Sequence, residues 1–324
     1  MTIVTLVAGL VFLIGGAEVI VRYGTRLARR LGISPLIVGL TVVSIGTSAP
    51  ELAVGIDAMS RGQGSLVLGN IAGTNMVNLL LILGLAAAIR PIALQRQTLR
   101  LDLPAMVGSA VLLLALSLDG TLSTWEGVLL LGIAVGYTLV LIRTARRDSM
   151  AQVVATADPS PEAGDEPPRT RRSVVVDVLL LVLGIAVVVF GADWLVTAAV
   201  EIAELFGVSE TLIGLTIVAI GTSLPELATT ILATVRGSRS IAVGNLIGSS
   251  TYNLTFILGG SLLFGPPAVG VDPQLVGVDL PLMVGAALLC VPVFLTGRRI
   301  SRREGIGFIL LYAAYMTYLI VIRA

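Results

Sequence analysis

Two glutamates are candidates for chemistry, because each ends the same short motif inside a long apolar stretch. Glu51 ends GTSAPE (46–51) and Glu226 ends GTSLPE (221–226). If these stretches cross a bilayer, each buried charge costs at least about 2.5–3.5 kcal/mol, and two facing carboxylates repel each other. The chain has no lysine and no histidine, and no arginine falls inside either stretch. Bound cations or protons are therefore the expected partners of these carboxylates.

The residues around the glutamates supply hard oxygen donors. Hydroxyl groups and amide carbonyls come from Thr47, Ser48, Thr222, Ser223, Asn78 and Asn253. Ca2+ prefers about six to eight oxygen ligands in a flexible shell. The single cysteine and the lack of histidine argue against a soft metal site. Two carboxylates match one Ca2+ or two Na+ in formal charge, so the pattern favours these ions.

The prolines of the motif predict broken helices. Pro50 cannot donate to the carbonyl of Gly46, and Pro225 cannot donate to that of Gly221. Backbone carbonyls freed inside a membrane are tolerated where protein or a water-lined cavity satisfies them. Broken helices of this kind supply ion ligands in transporters.

The elements that must position these residues are membrane helices. Hydrophobic residues make up 56% of the chain and charged residues 13%, against about 25% charged in soluble domains. Apolar blocks of about 20 residues, the length that crosses a bilayer, recur ten times. The predicted spans are 3–21, 34–58, 65–89, 101–118, 125–142, 174–196, 210–234, 241–263, 278–296 and 305–322.

Arginine placement predicts the orientation of these spans. Alternate loops hold 19 of the 21 arginines, and the positive-inside rule places those loops in the cytoplasm. Both termini are then outside the cytoplasm, in a multi-pass protein of the cell membrane. A polar, proline-rich linker, 143–173, lies inside and separates two five-helix units, 1–142 and 174–324. The net charge of +1 gives no reason to expect nucleic acid, and neither a cofactor nor an obligate protein partner is expected.

The two halves are copies of each other. Residues 39–84 align with 214–259 at an offset of 175 without gaps, with 25 identities in 46 positions. An odd number of helices per copy inverts the second copy, so the prediction is an all-α membrane protein of two inverted five-helix repeats, with helices 2 and 7 broken at the site. Sites in such transporters lie near the midplane between the repeats. Polar pairs four residues apart share a helix face in each copy: Thr74 with Asn78, and Ser249 with Asn253.

These two motifs resemble the calcium/cation antiporter superfamily, and its prokaryotic sodium/calcium exchanger branch in particular. Two copies of the glutamate motif, each followed by Gly-Asn and then Asn, make the resemblance specific. It implies ten helices, alternating access and four cation subsites around Glu51 and Glu226. It also implies that helices 1 and 6 slide against the rest of the protein.

Further residue roles follow from the resemblance alone. Ser44 and Ala219 would offer main-chain carbonyls, Thr74 and Ser249 would serve peripheral Na+ subsites, and Asn78 would flank the centre. Several relatives have aspartate at the position of Asn253, and its absence here argues against K+ cotransport. Outside the motifs, Glu18 and Asp193 are read as structural or gate-lining residues.

Other functions remain open at this point. The same carboxylates could carry protons in Ca2+/H+ exchange, so H+ is an alternative coupling ion. A cation channel is disfavoured by the inverted repeat. An enzyme is disfavoured because a Ser-His protease needs histidine, and a zinc hydrolase needs nitrogen or sulfur ligands.

Overall fold

The computed structural model describes residues 2–155, 171–206 and 219–323. The side chains of 146–155, 171–172, 219 and 322–323 are outside this description. In the first half the helices are α1 Thr2–Leu31, α2 Pro35–Thr47, α3 Ala49–Ser60, α4 Gly64–Ile89, α5 Thr98–Leu116 and α6 Thr124–Ala155. In the second half they are α7 Arg171–Leu205, α8 Ala219–Gly221, α9 Leu224–Val235, α10 Arg239–Leu262, α11 Leu275–Leu295 and α12 Arg302–Arg323.

Eight of the described helices are long and apolar enough to cross a membrane. Helices α2 and α3 form a further, bent pair that meets at 43° and would make nine. Helix α9 is apolar but shorter. The predicted span 210–234, which would be the tenth, lies partly outside the described residues.

Helices α10 and α4 are the most deeply buried of the candidate membrane spans. In α10, 94% of the most apolar 18-residue stretch is buried, and in α4 the share is 78%. In α12 the share is 17%, and large apolar side chains such as Leu310 and Val321 face outward. Polar residues on α4 and α10 are thus enclosed by protein, whereas the peripheral helices present apolar faces suited to lipid.

Helices α1 and α7 pack as one unit, because glycines let their backbones touch. A Cβ on Gly16 would lie 2.7 Å from the backbone nitrogen of Val188, and one on Gly191 would lie 2.5 Å from that of Leu13. Close approach through small residues drives helix association in lipid. Arg30 of α1 also pairs with Asp177 of α7 at 3.0 Å, and both side chains are buried.

Short strands, which the all-α prediction did not include, join the two halves. Strand β1 Ile92–Ala93 pairs antiparallel with β4 Arg299–Ile300, and β2 Thr121–Ser123 pairs with β3 Ala268–Gly270. Each pair joins an interhelical connection of one half to one of the other. The pairing satisfies backbone groups that a helix end leaves free.

Both ends of the predicted linker, 143–173, are helical. Helix α6 continues to Ala155 and α7 begins at Arg171. The remainder of the linker, 156–170, lies outside the described residues.

Candidate cation site

The helix breaks fall at two equivalent serines. Ser48 separates α2 from α3 with φ −85° and ψ 12°, and Ser223 separates α8 from α9 with φ −90° and ψ 5°. This sparsely populated backbone region is common in active sites. Pro50 and Pro225 lie in the first turn of the following helices, where a missing N–H costs nothing. The motif thus begins a new helix at each break.

Both glutamates lie in the first turn of these new helices, where the positive end of the helix dipole favours a carboxylate. Their side chains are 0% exposed. Among the described residues neither forms an ion pair with an arginine. The hydroxyl of Ser48, three residues before Glu51, lies 3.1 Å from Oε1 of Glu226, so the two motifs meet in the interior. The site therefore holds two buried acids whose charge the described residues do not neutralise.

Glu226 is held by hydroxyl groups from both repeats. Its Oε1 accepts hydrogen bonds from the hydroxyl of Ser48 at 3.1 Å and from that of Ser249 at 3.4 Å. Neither oxygen of Glu51 accepts a hydrogen bond from the described residues. A buried carboxylate oxygen without a donor is costly, so Glu51 has the stronger need of a cation or a proton.

The two asparagines lie where the central helices widen. Asn78 lies in the π-helical turn Val77–Ile82 of α4, and Asn253 begins the turn Asn253–Ile257 of α10. Such turns are frequent at functional sites. Both amides are 0% exposed, and neither their oxygens nor their nitrogens have a hydrogen-bond partner in the part of the chain that the structure describes. The turn of Asn78 contacts α9, and that of Asn253 contacts α3, so each asparagine turn lies beside the glutamate helix of the other repeat.

The remaining first-repeat residues are buried in the same region. The Oγ1 of Thr74 has no hydrogen-bond partner among the described residues. The Ser44 carbonyl accepts from the hydroxyl of Ser249 at 3.3 Å, which brings a predicted backbone ligand against the second repeat. The hydroxyl of Thr47 lies within hydrogen-bonding distance of the Val43 and Ser44 carbonyls.

The second-repeat counterparts are more varied. Ser223 is buried, and its hydroxyl has no hydrogen-bond partner within the described ranges. Thr222 is half-buried and borders a cavity. Ala219 begins α8, and its side chain lies outside the described residues. No group of three or more His, Cys, Asp or Glu side chains comes together in the described part of the chain.

Sequence reasoning missed one buried polar bridge. The Oδ1 of Asn245 accepts from the Thr47 hydroxyl at 3.2 Å, and its Nδ2 donates to Thr230 Oγ1 at 3.2 Å. All three residues are fully buried. The repeated Gly-Asn motif was a usable signal for Asn245, but Thr230 aligns with Gly55 and the repeat gave no hint of it.

A cavity of about 330 Å3 reaches the broken segments from one side. It lies between α7 and α3, and its lining includes Asp193, Phe190, Val54, Pro50 and Thr222. The opposite approach is covered, because α1 packs along α9. The arrangement is a buried oxygen-rich site with this cavity at one end of it, and among the described residues α1 covers the side of α9.

Comparison with known proteins identifies the family of this chain. The family described as sodium/calcium exchanger protein matches residues 1–143 and 176–321. This chain belongs to that family. Within the wider calcium/cation antiporter superfamily it falls in the prokaryotic branch.

Relatives of this antiporter match nearly its whole length. It is 36% identical to a putative antiporter, CaxA, of Alkalimonas amylolytica over 310 residues, 95% of each chain. It is 33% identical to the sodium/calcium exchanger MaX1 of Methanosarcina acetivorans, with 98% of each chain covered. A solved structure of the sodium-calcium exchanger NCX_Mj, soaked with 10 mM Na+ and 10 mM Sr2+, is similar with a TM-score of 0.82. That match has 28% identity and covers 100% of this chain and 99% of the other.

Family membership makes the protein a multi-pass membrane transporter for cations including Ca2+, and not an enzyme.

Proposed function

We propose that this antiporter exchanges Ca2+ for Na+ by alternating access, with the cations bound between Glu51 and Glu226. The observation that carries the proposal is the pair of fully buried carboxylates, one from each repeat, without an arginine partner among the described residues. Two such charges in a low-dielectric interior need compensation. One Ca2+ or two Na+ would compensate both, which allows the two ions to replace one another.

The polar atoms around the carboxylates support a shared oxygen shell. Among the described residues, buried side-chain oxygens without a hydrogen-bond partner include those of Glu51, Glu226, Asn78, Asn253, Thr74 and Ser223, and others such as that of Thr98 lie outside this set. Buried polar groups are normally hydrogen-bonded, so unpartnered oxygens on both glutamates and both asparagines favour an ion. The proposed ligands also include Thr47, Ser48, Thr222, Ser249 and the main-chain carbonyls of Ser44 and Ala219.

The proposed architecture is ten membrane helices in two inverted repeats. The paired strands support it, because β1 corresponds to β3 and β2 to β4 in the two halves, so exchanging the halves converts the β1–β4 pair into the β2–β3 pair. The arginine distribution places the Arg236 end of α9 in the cytoplasm and the Arg61 end of α3 outside. The cavity beside α3 then opens to the outside, and both chain termini lie on that side.

The test is uptake of radiolabelled Ca2+ into inverted vesicles loaded with Na+ or with a matched concentration of K+. We expect uptake only with an opposing Na+ gradient. Glu51→Gln and Glu226→Gln should each reduce it at least about a hundredfold, because losing one partner of a buried charged site costs about 3–5 kcal/mol.

Glu201→Gln is the matched control, since Glu201 is exposed near the end of α7 and accepts a hydrogen bond from Thr2, which is not a proposed ligand. Uptake that persists in Glu51→Gln would contradict the assignment of Glu51 as a cation ligand. Uptake driven by a pH gradient in the absence of Na+ would replace Na+ by H+ as the coupling ion and keep the carboxylates.

A further inference from the structure

Four charged residues occupy equivalent positions in the two repeats. Glu18 aligns with Asp193 and Arg61 aligns with Arg236, both at the offset of 175 that relates the glutamate motifs. Each acid lies on the unit formed by α1 and α7. Each arginine directly follows the helix that carries a site glutamate. An inverted repeat therefore offers two equivalent ion pairs, one at each end of the molecule.

The first of these pairs is formed. Both the Nε and the Nη2 of Arg236 lie 2.9 Å from Oε2 of Glu18. This pair fastens α1 to the end of α9. The hydroxyls of Thr25 and Ser238 meet beside it at 3.5 Å, so the contact of α1 with this end of α9 is polar as well as apolar.

The second pair is not formed. Asp193 is exposed, lines the cavity and has no ion pair among the described residues. Arg61 instead donates to Asp57 Oδ1 at 2.8 Å, one turn earlier on its own helix. Helix α7 hardly touches α3, and the cavity lies between them. The open end of the molecule is thus the end at which the equivalent pair is absent.

The two acids belong to one body. Glycine contacts and the buried Arg30–Asp177 pair hold α1 to α7, so the helices cannot move independently without breaking those contacts. The two acids lie toward opposite ends of this unit, and so do the two arginines that face them. For a unit that moves as one body along its length, a displacement that brings Asp193 of α7 toward Arg61 carries Glu18 of α1 away from Arg236.

We infer that Glu18–Arg236 and Asp193–Arg61 are alternative ion pairs that hold the α1–α7 unit at opposite ends of its movement. The inference rests on the alternating access of the proposed function. The Glu18–Arg236 pair closes the end of the site that α1 covers in this structure. The Asp193–Arg61 pair forms when the cavity beside α3 closes.

The repeats differ at one position, and this difference favours the Glu18–Arg236 pair over the Asp193–Arg61 pair. Asp57, which competes with Asp193 for Arg61, aligns with Leu232. Arg236 therefore has no acid one turn earlier on its own helix, and Glu18 meets no such competitor. An exposed ion pair shifts an equilibrium by up to about fivefold, which is enough to bias two states of similar free energy.

The test is thiol labelling at two equivalent positions in a protein whose one cysteine is removed by Cys290→Ser. Val54 lines the cavity, and its counterpart Thr229 is fully buried on the covered side. We define the labelling ratio as the maleimide rate of Val54→Cys divided by that of Thr229→Cys, each measured separately in the full-length protein in detergent. In the unsubstituted background this ratio should be well above one.

Glu18→Gln and Arg236→Gln should each lower the labelling ratio by about two- to fivefold. The double variant should lower it no further, because both changes remove the same pair. Asp193→Asn should raise the ratio, and the charge exchange Glu18→Arg with Arg236→Glu should restore it. Glu201→Gln, on the same unit but bonded to Thr2 within it, is the control and should leave the ratio unchanged.

A ratio that does not fall in Glu18→Gln and Arg236→Gln, additive effects of the two changes, or a fall in Asp193→Asn would each overturn the inference. The labelling ratio does not depend on which ions are exchanged. If Na+-driven Ca2+ uptake fails while the ratio behaves as expected, the proposed ion coupling is wrong and the ion pairs stand. If uptake succeeds and the ratio does not respond, only the ion-pair inference is lost.

Discussion

Helices α3 and α9 carry the same motif, and their surroundings differ. Glu226 of α9 accepts two hydroxyl hydrogen bonds, whereas Glu51 of α3 accepts none from the residues that the structure describes. Pro225 is buried and Pro50 is half-buried. Helix α1 covers α9, while a cavity lies beside α3. Equivalent sequences in an inverted repeat thus need not have equivalent environments, and the position of the α1–α7 unit distinguishes them.

The comparison of α3 with α9 is tested most strongly by measuring how much Ca2+ stabilises the folded protein. At about 100 times its dissociation constant, a ligand that binds only the folded protein stabilises it by about 2.7 kcal/mol. We expect Ca2+ to produce this effect in the unsubstituted protein and not in Glu51→Gln or Glu226→Gln, because each variant removes one of two carboxylates. Thermal unfolding in detergent with and without Ca2+ measures it.

Glu201→Gln is again the control for this measurement, and it should keep the full Ca2+ effect. A full effect retained by Glu226→Gln would mean that the hydrogen-bonded glutamate is structural. The helices would then differ in role and not only in surroundings.

A smaller effect is expected at the repeated asparagine of the Gly-Asn motif. Asn245→Ala should lower the free energy of unfolding by about 1–3 kcal/mol, because it strips hydrogen bonds from buried Thr47 and Thr230. Asn70→Ala, at the equivalent half-buried position, should change it by less than about 0.5 kcal/mol. Chemical denaturation of the two variants side by side compares them. Equal losses of unfolding free energy in the two variants would show that the hydrogen bonds of Asn245 to Thr47 and Thr230 add no stability beyond what Asn70 provides.

The smallest effect is expected from exchanging the residue that competes for the arginine. Asp57→Leu frees Arg61 for Asp193, and Leu232→Asp gives Arg236 a second acid one turn away. A pair at this helical spacing contributes about 0.2–0.5 kcal/mol, so each change should lower the labelling ratio by up to about twofold. Asp119→Asn, on an exposed turn, is the control. A rise in the ratio for either variant would contradict the asymmetry assigned to these positions.

Much of the candidate site could be read from the sequence because the repeat marked it twice. A duplicated Gly-Thr-Ser-x-Pro-Glu motif in apolar surroundings allowed few roles other than cation binding, since no lysine or histidine was present. The family is confirmed by comparison. The ligand set is still a prediction, although the structure buries Glu51, Glu226, Asn78 and Asn253.

Other features depended on contacts between residues far apart in the chain. The Asn245 bridge needs Thr230, whose repeat partner is glycine, so the symmetry that revealed the glutamates concealed this residue. The π-helical turns at Asn78 and Asn253 left no local signal, because one extra residue in a turn does not alter an apolar pattern. The strand pairs were missed because each pair joins two short connections from different halves of the chain.

The sequence by itself determined the membrane-helix class, the duplicated motif and the two acids, because composition, spacing and residue type are local properties. The tertiary structure decided which approach to the acids is open and which of two equivalent ion pairs is formed. Those outcomes depend on where the α1–α7 unit packs. Both repeats offer it nearly the same residues, and only the packed arrangement distinguishes one end of the molecule from the other.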